Sequence, residues 1–127
     1  MQSYSGTYTI LVVDDEELNF SYIELVLRKF GYRVLYAADG SKAIDSYKEN
    51  PDIDLVLMDL MMPGFDGMQT TQLLLQINPD LPVIAITAYA SNESFEKAIN
   101  SGCVEVLGKP FDKTLLISRI HHYLFQQ

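Results

Sequence analysis

The chain has a single cysteine, few basic residues and no long apolar segment. Cys103 therefore cannot form an internal disulfide or share a zinc ion with a second thiolate, which favours a reducing compartment and a role as a small core residue. Seventeen acidic residues against nine basic ones give a net charge of -8, and no run of Lys and Arg offsets it locally. Since such a chain repels a phosphate backbone, direct nucleic-acid binding is not expected.

No segment approaches the roughly 18 apolar residues that a membrane-spanning helix needs, and the N-terminal MQSYSGTY lacks the basic and apolar parts of a signal peptide. We expect a cytoplasmic protein without membrane insertion. The 127 residues, 48% hydrophobic, suit one globular domain over 1–127, with an ordered core over about residues 8–125. No linker or repeat interrupts the sequence.

Short apolar runs alternate with longer amphipathic stretches. The runs lack polar alternation, which is typical of strands buried on both faces of a parallel sheet. The predicted strands are 9–13, 32–37, 54–58, 82–87 and 104–107, of which the second and fifth are the weaker and read as edge strands. The predicted helices are 16–30, 41–50, 67–77, 91–101 and 112–125.

Capping signals agree with these bounds. The predicted N-caps are Asp39, Asp66, Ser91 and Asp112, and the first and fourth helices are predicted to end at Gly31 and Gly102. Strict alternation of strand and helix predicts an α/β fold, with a parallel sheet between two layers of helices.

Chemically distinctive residues follow the strands at their carboxyl ends, where open parallel sheets bind ligands. They are Asp14 and Asp15 after the first strand, Asp59 at the end of the third, Thr87 at the end of the fourth and Lys109 after the fifth. Taken singly, each suits a solvated turn, a strand residue or a surface charge. Together they predict one site.

Three converging carboxylates repel one another unless a cation lies between them, and Mg²⁺ suits such oxygen ligands. Asp59 then becomes a candidate nucleophile, because carboxylates accept phosphoryl groups. Thr87 can donate to one phosphoryl oxygen and Lys109 can neutralise another. We expect Pro63, Gly64 and Gly67 to let the following turn leave this pocket open.

Four stretches, ILVVDDEELN, VLMDLMMPGFDG, VIAITAYA and GCVEVLGKPF, occur in the order found in the receiver domains of two-component response regulators, which the sequence resembles over nearly its whole length. Receivers fused to hybrid sensor kinases are included in the resemblance. It implies a flavodoxin-like three-layer (βα)5 fold with strand order 2-1-3-4-5. It also implies that Asp59 accepts a phosphoryl group from a histidine of a histidine kinase or phosphotransfer domain, as a phosphoacceptor rather than an enzyme.

By the same resemblance the Mg²⁺ ligands are the carboxylates of Asp14, Asp15 and Asp59 and the main-chain carbonyl of Met61. Thr87 and Lys109 resemble the pair that senses phosphate, and the bond between Lys109 and Pro110 is similar to one that is usually cis in the family.

Three positions depart from the family pattern. Met61 and Tyr89 stand where side chains flank the route of the hydrolytic water, so we expect slow self-hydrolysis. Val106 stands where an aromatic residue is common, and its short, stiff side chain cannot act as the usual aromatic switch. We expect Thr87 and Tyr89 to move on phosphorylation, while the fifth strand changes little.

The first helix carries two apolar stripes. Phe20, Ile23, Leu27 and Phe30 are predicted to face the sheet. Leu18, Tyr22 and Leu25 either belong to a broad core-facing arc or, with Asn19 and Phe111, dock on the helices that bear the donor histidine. Asn19, in the stretch DDEELN, is also a point of resemblance to the receivers of hybrid kinases. A weak or phosphorylation-dependent dimer through the fourth helix, fifth strand and fifth helix is a further expectation.

Two other functions remain open at this point. A Mg²⁺-dependent aspartyl phosphatase typically has a second acid two residues after its nucleophile, where this chain has Met61. A flavin-binding module needs an uncharged phosphate loop after the first strand, and DDEE would repel the phosphate. The sequence ends after the fifth helix, so any output domain lies outside it, and both a stand-alone regulator and a piece of a larger protein are possible.

Overall fold

Five strands alternate with five helices in a computed structural model, which describes residues 7–60, 67–88, 91–109 and 112–125. The strands are β1 (Thr9–Val13), β2 (Arg33–Ala37), β3 (Leu55–Asp59), β4 (Val83–Thr87) and β5 (Glu105–Gly108). The helices are α1 (Glu17–Lys29), α2 (Gly40–Glu49), α3 (Gly67–Ile77), α4 (Asn92–Asn100) and α5 (Lys113–Leu124). Each predicted element is confirmed, with ends that differ from the predicted ones by at most one residue. Among the described residues no helix is both long and apolar enough to cross a membrane.

The strands form one parallel sheet in the order β2-β1-β3-β4-β5, which confirms the flavodoxin-like order. Val12 of β1 lies opposite Tyr36 of β2 on one side and Leu57 of β3 on the other. The two weaker strands, β2 and β5, are the edges, as expected. Their fewer apolar residues fit this place because an edge strand is covered less completely than a central one.

Two apolar clusters cover the two faces of the sheet. Alternate strand residues such as Ile10 and Val12 pack with α1 and α5, while Leu11 and Val13 pack with α2, α3 and α4. Side chains of successive strand residues point to opposite faces, so each buried strand feeds both clusters. The three central strands are therefore covered on both faces, and the carboxyl edge of the sheet carries the polar residues.

Helix ends follow the predicted caps. The carboxylate of Asp39 accepts from the Lys42 amide (2.8 Å), the hydroxyl of Ser91 from the Ser94 amide (3.1 Å) and the carboxylate of Asp112 from the Thr114 amide (2.8 Å). Each bond satisfies an amide that the first helical turn leaves unpaired. Gly31 and Gly102 have φ of 85° and 108°, values that favour glycine, as predicted for the ends of α1 and α4. The predicted cap Asp66 lies outside the described residues.

One part of the stripe prediction for α1 is wrong. Ile23 and Leu27 are buried against the sheet and Phe20 packs at the edge of that cluster, but Phe30 is 55% exposed. Phe30 is the C-cap of the helix, and its ring meets His121 of α5 edge-on at 6.1 Å. Phe30 leaves the stripe because α1 ends at Lys29, while Val26, inside the helix, is buried beside Ile23 and Leu27.

Candidate functional site

Three carboxylates meet at the carboxyl edge of the sheet. Asp14 directly follows β1, and Asp59 is the last residue of β3. Oxygen atoms of Asp14, Asp15 and Asp59 all lie within 4.8 Å of one another. Asp14 is only 2% exposed and Asp59 only 5%, whereas Asp15 faces solvent. The neighbouring central strands β1 and β3 thus hold two buried acids side by side, as the sequence predicts.

The ammonium of Lys109 reaches the same acids from β5. Its Nζ lies 3.6 Å from Oδ2 of Asp14 and 3.7 Å from Oδ2 of Asp59. The Lys109 amide donates to the carbonyl of Thr87 at 2.8 Å, which ties the end of β5 to the end of β4. One ammonium offsets only part of the charge of three carboxylates. The donor set, three carboxylate oxygens with excess negative charge, fits a hard divalent cation such as Mg²⁺.

The backbone of Asp14 is held from β2. Its amide donates to the carbonyl of Ala37 (3.1 Å), and its own carbonyl accepts from the hydroxyl of Tyr36 (2.8 Å). The Asp14 side chain accepts from the amide of Glu16 at 2.9 Å. Burial and the neighbouring charge of Asp59 raise the pKa of Asp14, although the Glu16 amide and Lys109 oppose this. Sequence reasoning missed Tyr36, because no local pattern connects β2 with this loop.

Gly67, the first residue of α3, lies against the end of β3. A Cβ atom at this position would come within 2.6 Å of the carbonyl oxygen of Asp59 and 3.1 Å of the Cα of Leu60. Glycine is therefore required by a close backbone approach, beyond the open turn that the sequence suggested. The other turn residues, Pro63 and Gly64, lie outside the described residues, as does Met61.

Thr87 is the last residue of β4, and its side chain lies on the sheet face that α2, α3 and α4 cover. It alternates with Ile86, which packs toward α1 and α5, and it lines a cavity of about 190 Å³ with Leu60, Met68 and residues of α4. Val106 packs against the cluster on this same face. The structure thus joins Lys109 to the acids and sets Thr87 beside α3 and α4. Tyr89, predicted to move with Thr87, lies outside the described residues, as does Pro110.

The second stripe of α1 faces solvent. Leu18 is 86% exposed, Leu25 58% and Tyr22 48%, which rules out the broad core-facing arc. Asn19 donates from Nδ2 to Oε1 of Glu16 at 2.6 Å. Phe111, the remaining member of the predicted docking face, lies outside the described residues.

Cys103 is buried, and burial raises the pKa of its thiol to about 11. A thiol that stays protonated is a poor nucleophile and metal ligand. This confirms that Cys103 is a small core residue.

The model of the response regulator receiver domain family matches residues 10–121. The sequence is 39% identical over 103 residues to the transcriptional regulatory protein ZraR of Klebsiella oxytoca, covering 81% of this chain and 23% of that protein. It is 34% identical over 124 residues to hybrid signal transduction histidine kinase M of Dictyostelium discoideum, covering 93% of this chain and 5% of that protein. The chain therefore spans less than a quarter of the length of these curated relatives.

Solved receiver structures share the fold. The receiver domain of a sensor histidine kinase from Pseudomonas aeruginosa PAO1, which has a magnesium ion coordinated in its active-site cleft, is 32% identical and superimposes with a TM-score of 0.87, covering 95% of this chain and 100% of that one. A response regulator receiver domain protein from Clostridium thermocellum is 29% identical with a TM-score of 0.88, covering 94% and 95%.

Proposed function

Since this chain belongs to the response regulator receiver domain family of two-component systems, we propose that Asp59 is its phosphoacceptor. The observation that carries the proposal is a nearly buried carboxylate at the rigid end of β3, within 4.8 Å of two further acids and 3.7 Å from the ammonium of Lys109. Family membership favours this function over the phosphatase and the flavin-binding module. Receiver domains are in general phosphoacceptors and not catalytic enzymes.

In the proposed reaction an oxygen of the Asp59 carboxylate attacks the phosphorus of a phosphohistidine. The new O–P bond forms as the N–P bond breaks, and the histidine nitrogen keeps the electron pair of the broken bond. Lys109 balances the negative charge on one phosphoryl oxygen. The hydroxyl of Thr87 donates a hydrogen bond to another phosphoryl oxygen after the end of β4 turns toward the site, which couples the phosphate to the conformation of the β4–α4 region.

We further propose that Asp14, Asp15 and Asp59, with the main-chain carbonyl of Met61, hold Mg²⁺. The three carboxylates at mutual distances within 4.8 Å support this, since a single ammonium leaves them with excess negative charge. When bound, Mg²⁺ supplies positive charge to the oxygens of the transferred phosphoryl group. The residues themselves fix where that charge lies relative to Asp59.

Acetyl phosphate tests the phosphoacceptor without a partner protein. Incubated with acetyl phosphate and Mg²⁺, the protein should gain one phosphoryl group by intact mass spectrometry, and EDTA should suppress the gain. Asp59→Asn should abolish it, and Asp45→Asn, which alters an exposed carboxylate on α2, should label like the wild type. Equal labelling of Asp59→Asn and wild type would refute the assignment.

We propose that the phosphoryl donor, a histidine kinase or histidine phosphotransfer domain, docks through Leu18, Asn19, Tyr22, Leu25 and Phe111. The exposure of large apolar side chains on α1, close in sequence to Asp14 and Asp15, supports this. Helix-on-helix docking places most of its energy in a few such anchors.

Tyr22→Ala tests the docking face. Phosphoryl transfer from a phosphorylated histidine protein should slow about tenfold or more, which is the effect expected when an anchor residue of an interface is truncated. Labelling by acetyl phosphate should stay unchanged. Leu73→Ala on α3 is a matched control, because Leu73 is a similarly exposed apolar side chain outside the proposed docking face. Equal slowing in both reactions would show that Tyr22 supports the fold or the site instead of docking.

Two further proposals concern assembly and location. A weak or phosphorylation-dependent dimer through α4, β5 and α5 is supported by the exposed Phe95, Ile99 and Val104 on that side. A cytoplasmic location is supported by the single thiol of Cys103, which stays reduced there.

A further inference from the structure

Tyr36 of β2 contacts both α1 and the acidic site at the carboxyl edge of the sheet. It lies on β2 directly opposite Val12 of β1, and it shares a sheet face with Val34, which packs in the cluster under α1 and α5. Its half-buried ring stacks on that of Phe20 in α1, with centroids 4.2 Å apart and an interplanar angle of 29°. Stacking of this kind restricts both side chains to one arrangement.

The same tyrosine reaches the acidic pair through its hydroxyl. The hydroxyl donates to the main-chain carbonyl of Asp14 at 2.8 Å, and the Asp14 amide donates to the carbonyl of Ala37 at 3.1 Å. Residues of β2 therefore form hydrogen bonds with the main chain of Asp14 on both sides of its Cα atom. The carbonyl that Tyr36 holds belongs to the peptide joining Asp14 to Asp15, so its orientation sets the direction in which the exposed Asp15 leaves the sheet.

We propose that Tyr36 is a positioning residue that orients the peptide between Asp14 and Asp15, and so sets the geometry in which these two acids bind Mg²⁺. The inference rests on the proposed function of the acidic site. A ligand pair held in place before the ion arrives loses less conformational freedom on binding, and so binds more tightly than a pair on a loose loop. Phe20 contributes through the stack, which holds the tyrosine ring under the loop.

A purely structural role for Tyr36 predicts a different result. In that case its hydrogen bond stabilises the fold, as many side-chain bonds to main-chain atoms do, without a specific effect on the acids. Tyr36→Phe separates the two roles because it removes the hydroxyl and keeps the ring and its stack. Tyr47→Phe is a matched control. The Tyr47 hydroxyl also forms a hydrogen bond, which it accepts from Nδ2 of Asn78 at 2.9 Å. Tyr47 belongs to α2 and packs on the opposite face of the sheet.

Three measurements on the full chain decide the matter. Mg²⁺ affinity is read from an NMR titration that follows the amide of Glu16, which donates to Asp14. Hydrogen exchange of the amides of residues 14–16 is measured without metal, and global stability is measured by urea unfolding in EDTA. Tyr36→Phe should bind Mg²⁺ about threefold to tenfold more weakly, the range of one hydrogen bond, and should exchange faster at these amides.

Tyr47→Phe should lose a similar amount of stability but keep wild-type Mg²⁺ affinity and exchange. Phe20→Leu, which keeps apolar volume but removes the stacked ring, should weaken Mg²⁺ binding in the same direction as Tyr36→Phe. If wild type binds Mg²⁺ and Tyr36→Phe matches it in affinity and exchange, the positioning role is overturned while the proposed function stands. Wild type that fails to bind Mg²⁺ would overturn the proposed function, and the positioning role with it.

Discussion

Replacing Asp14 with asparagine should stabilise the metal-free protein. The change removes one of three mutually repelling charges and keeps an oxygen that can accept from the Glu16 amide, which now lies 2.9 Å from Oδ1. It also removes the attraction between Asp14 and Lys109. Lys109 keeps its second partner, Asp59, at 3.7 Å.

The balance of these charges favours the asparagine. With an effective dielectric constant of about 20, the attraction of Asp14 to Lys109 at 3.6 Å is worth about 5 kcal/mol. Repulsion from Asp59, at most 4.8 Å away, is worth at least about 3.5 kcal/mol on the same scale. Repulsion from exposed Asp15, for which solvent raises the effective dielectric constant to about 40, adds about 2 kcal/mol. Relief of the buried charge adds to the difference, so we expect stabilisation of about 1–2 kcal/mol, or about 4–7 °C in Tm.

Urea unfolding at neutral pH provides the assay, in EDTA and again with Mg²⁺. Asp14→Asn should be more stable than wild type in EDTA, and Mg²⁺ should stabilise wild type much more than the variant. Asp45→Asn on the surface of α2 is the control and should change little. A destabilised Asp14→Asn in EDTA would show that the attraction to Lys109 outweighs the repulsion among the acids.

The pH dependence has a defined sign. Because burial raises the pKa of Asp14 in the folded state above its ordinary value of 3.8, the folded protein binds its proton more readily than the unfolded chain does. The ionised Asp14 carboxylate lowers the stability of the fold at neutral pH. This loss of stability declines as the pH falls through the raised pKa, and it is absent below the ordinary pKa. The stability gained by Asp14→Asn should therefore shrink as the pH is lowered toward 4, a value near that ordinary pKa.

Three further outcomes follow from the packing. Gly67→Ala should destabilise the fold by about 2 kcal/mol or more in thermal unfolding, since its Cβ would lie 2.6 Å from the Asp59 carbonyl oxygen, and an unchanged Tm would contradict this close approach. Cys103, whose thiol has its pKa raised to about 11, should react with iodoacetamide at pH 8 only after unfolding, and rapid native alkylation would show that the site opens. NMR shifts induced by beryllofluoride should centre on Thr87 and the β4–α4 region and vanish in Thr87→Ala; shifts centred on Val106 that survive the substitution would show another route.

Much of the fold follows from two patterns in the sequence, the unbroken apolar runs and the amphipathic stretches that separate them. Unbroken apolar runs such as TILVV marked strands covered on both faces, and strict alternation with helices required a parallel sheet. That topology alone brings the carboxyl ends of β1, β3 and β5 to one edge, so the meeting of Asp14, Asp59 and Lys109 was predictable. The order of the strands came from the family resemblance.

Long-range contacts were beyond the sequence patterns. The hydrogen bond from Tyr36 to the carbonyl of Asp14 joins residues 22 positions apart, and no local spacing signals it. The close approach of Gly67 to the end of β3 depends on the angle at which α3 leaves the sheet. Phe30 fitted a helical stripe on paper but sits where α1 ends and the chain turns at Gly31.

The identity of the phosphorylated residue tests the central claim most directly. Borohydride reduces an acyl phosphate to an alcohol, so treatment of the protein labelled by acetyl phosphate should convert the phosphorylated aspartate to homoserine, which peptide mass mapping then locates. We predict the conversion at Asp59, at the end of β3, and at neither Asp14 nor Asp15. Conversion at Asp14 or Asp15 with Asp59 intact, or phosphate recovered on a hydroxyl side chain, would contradict the account.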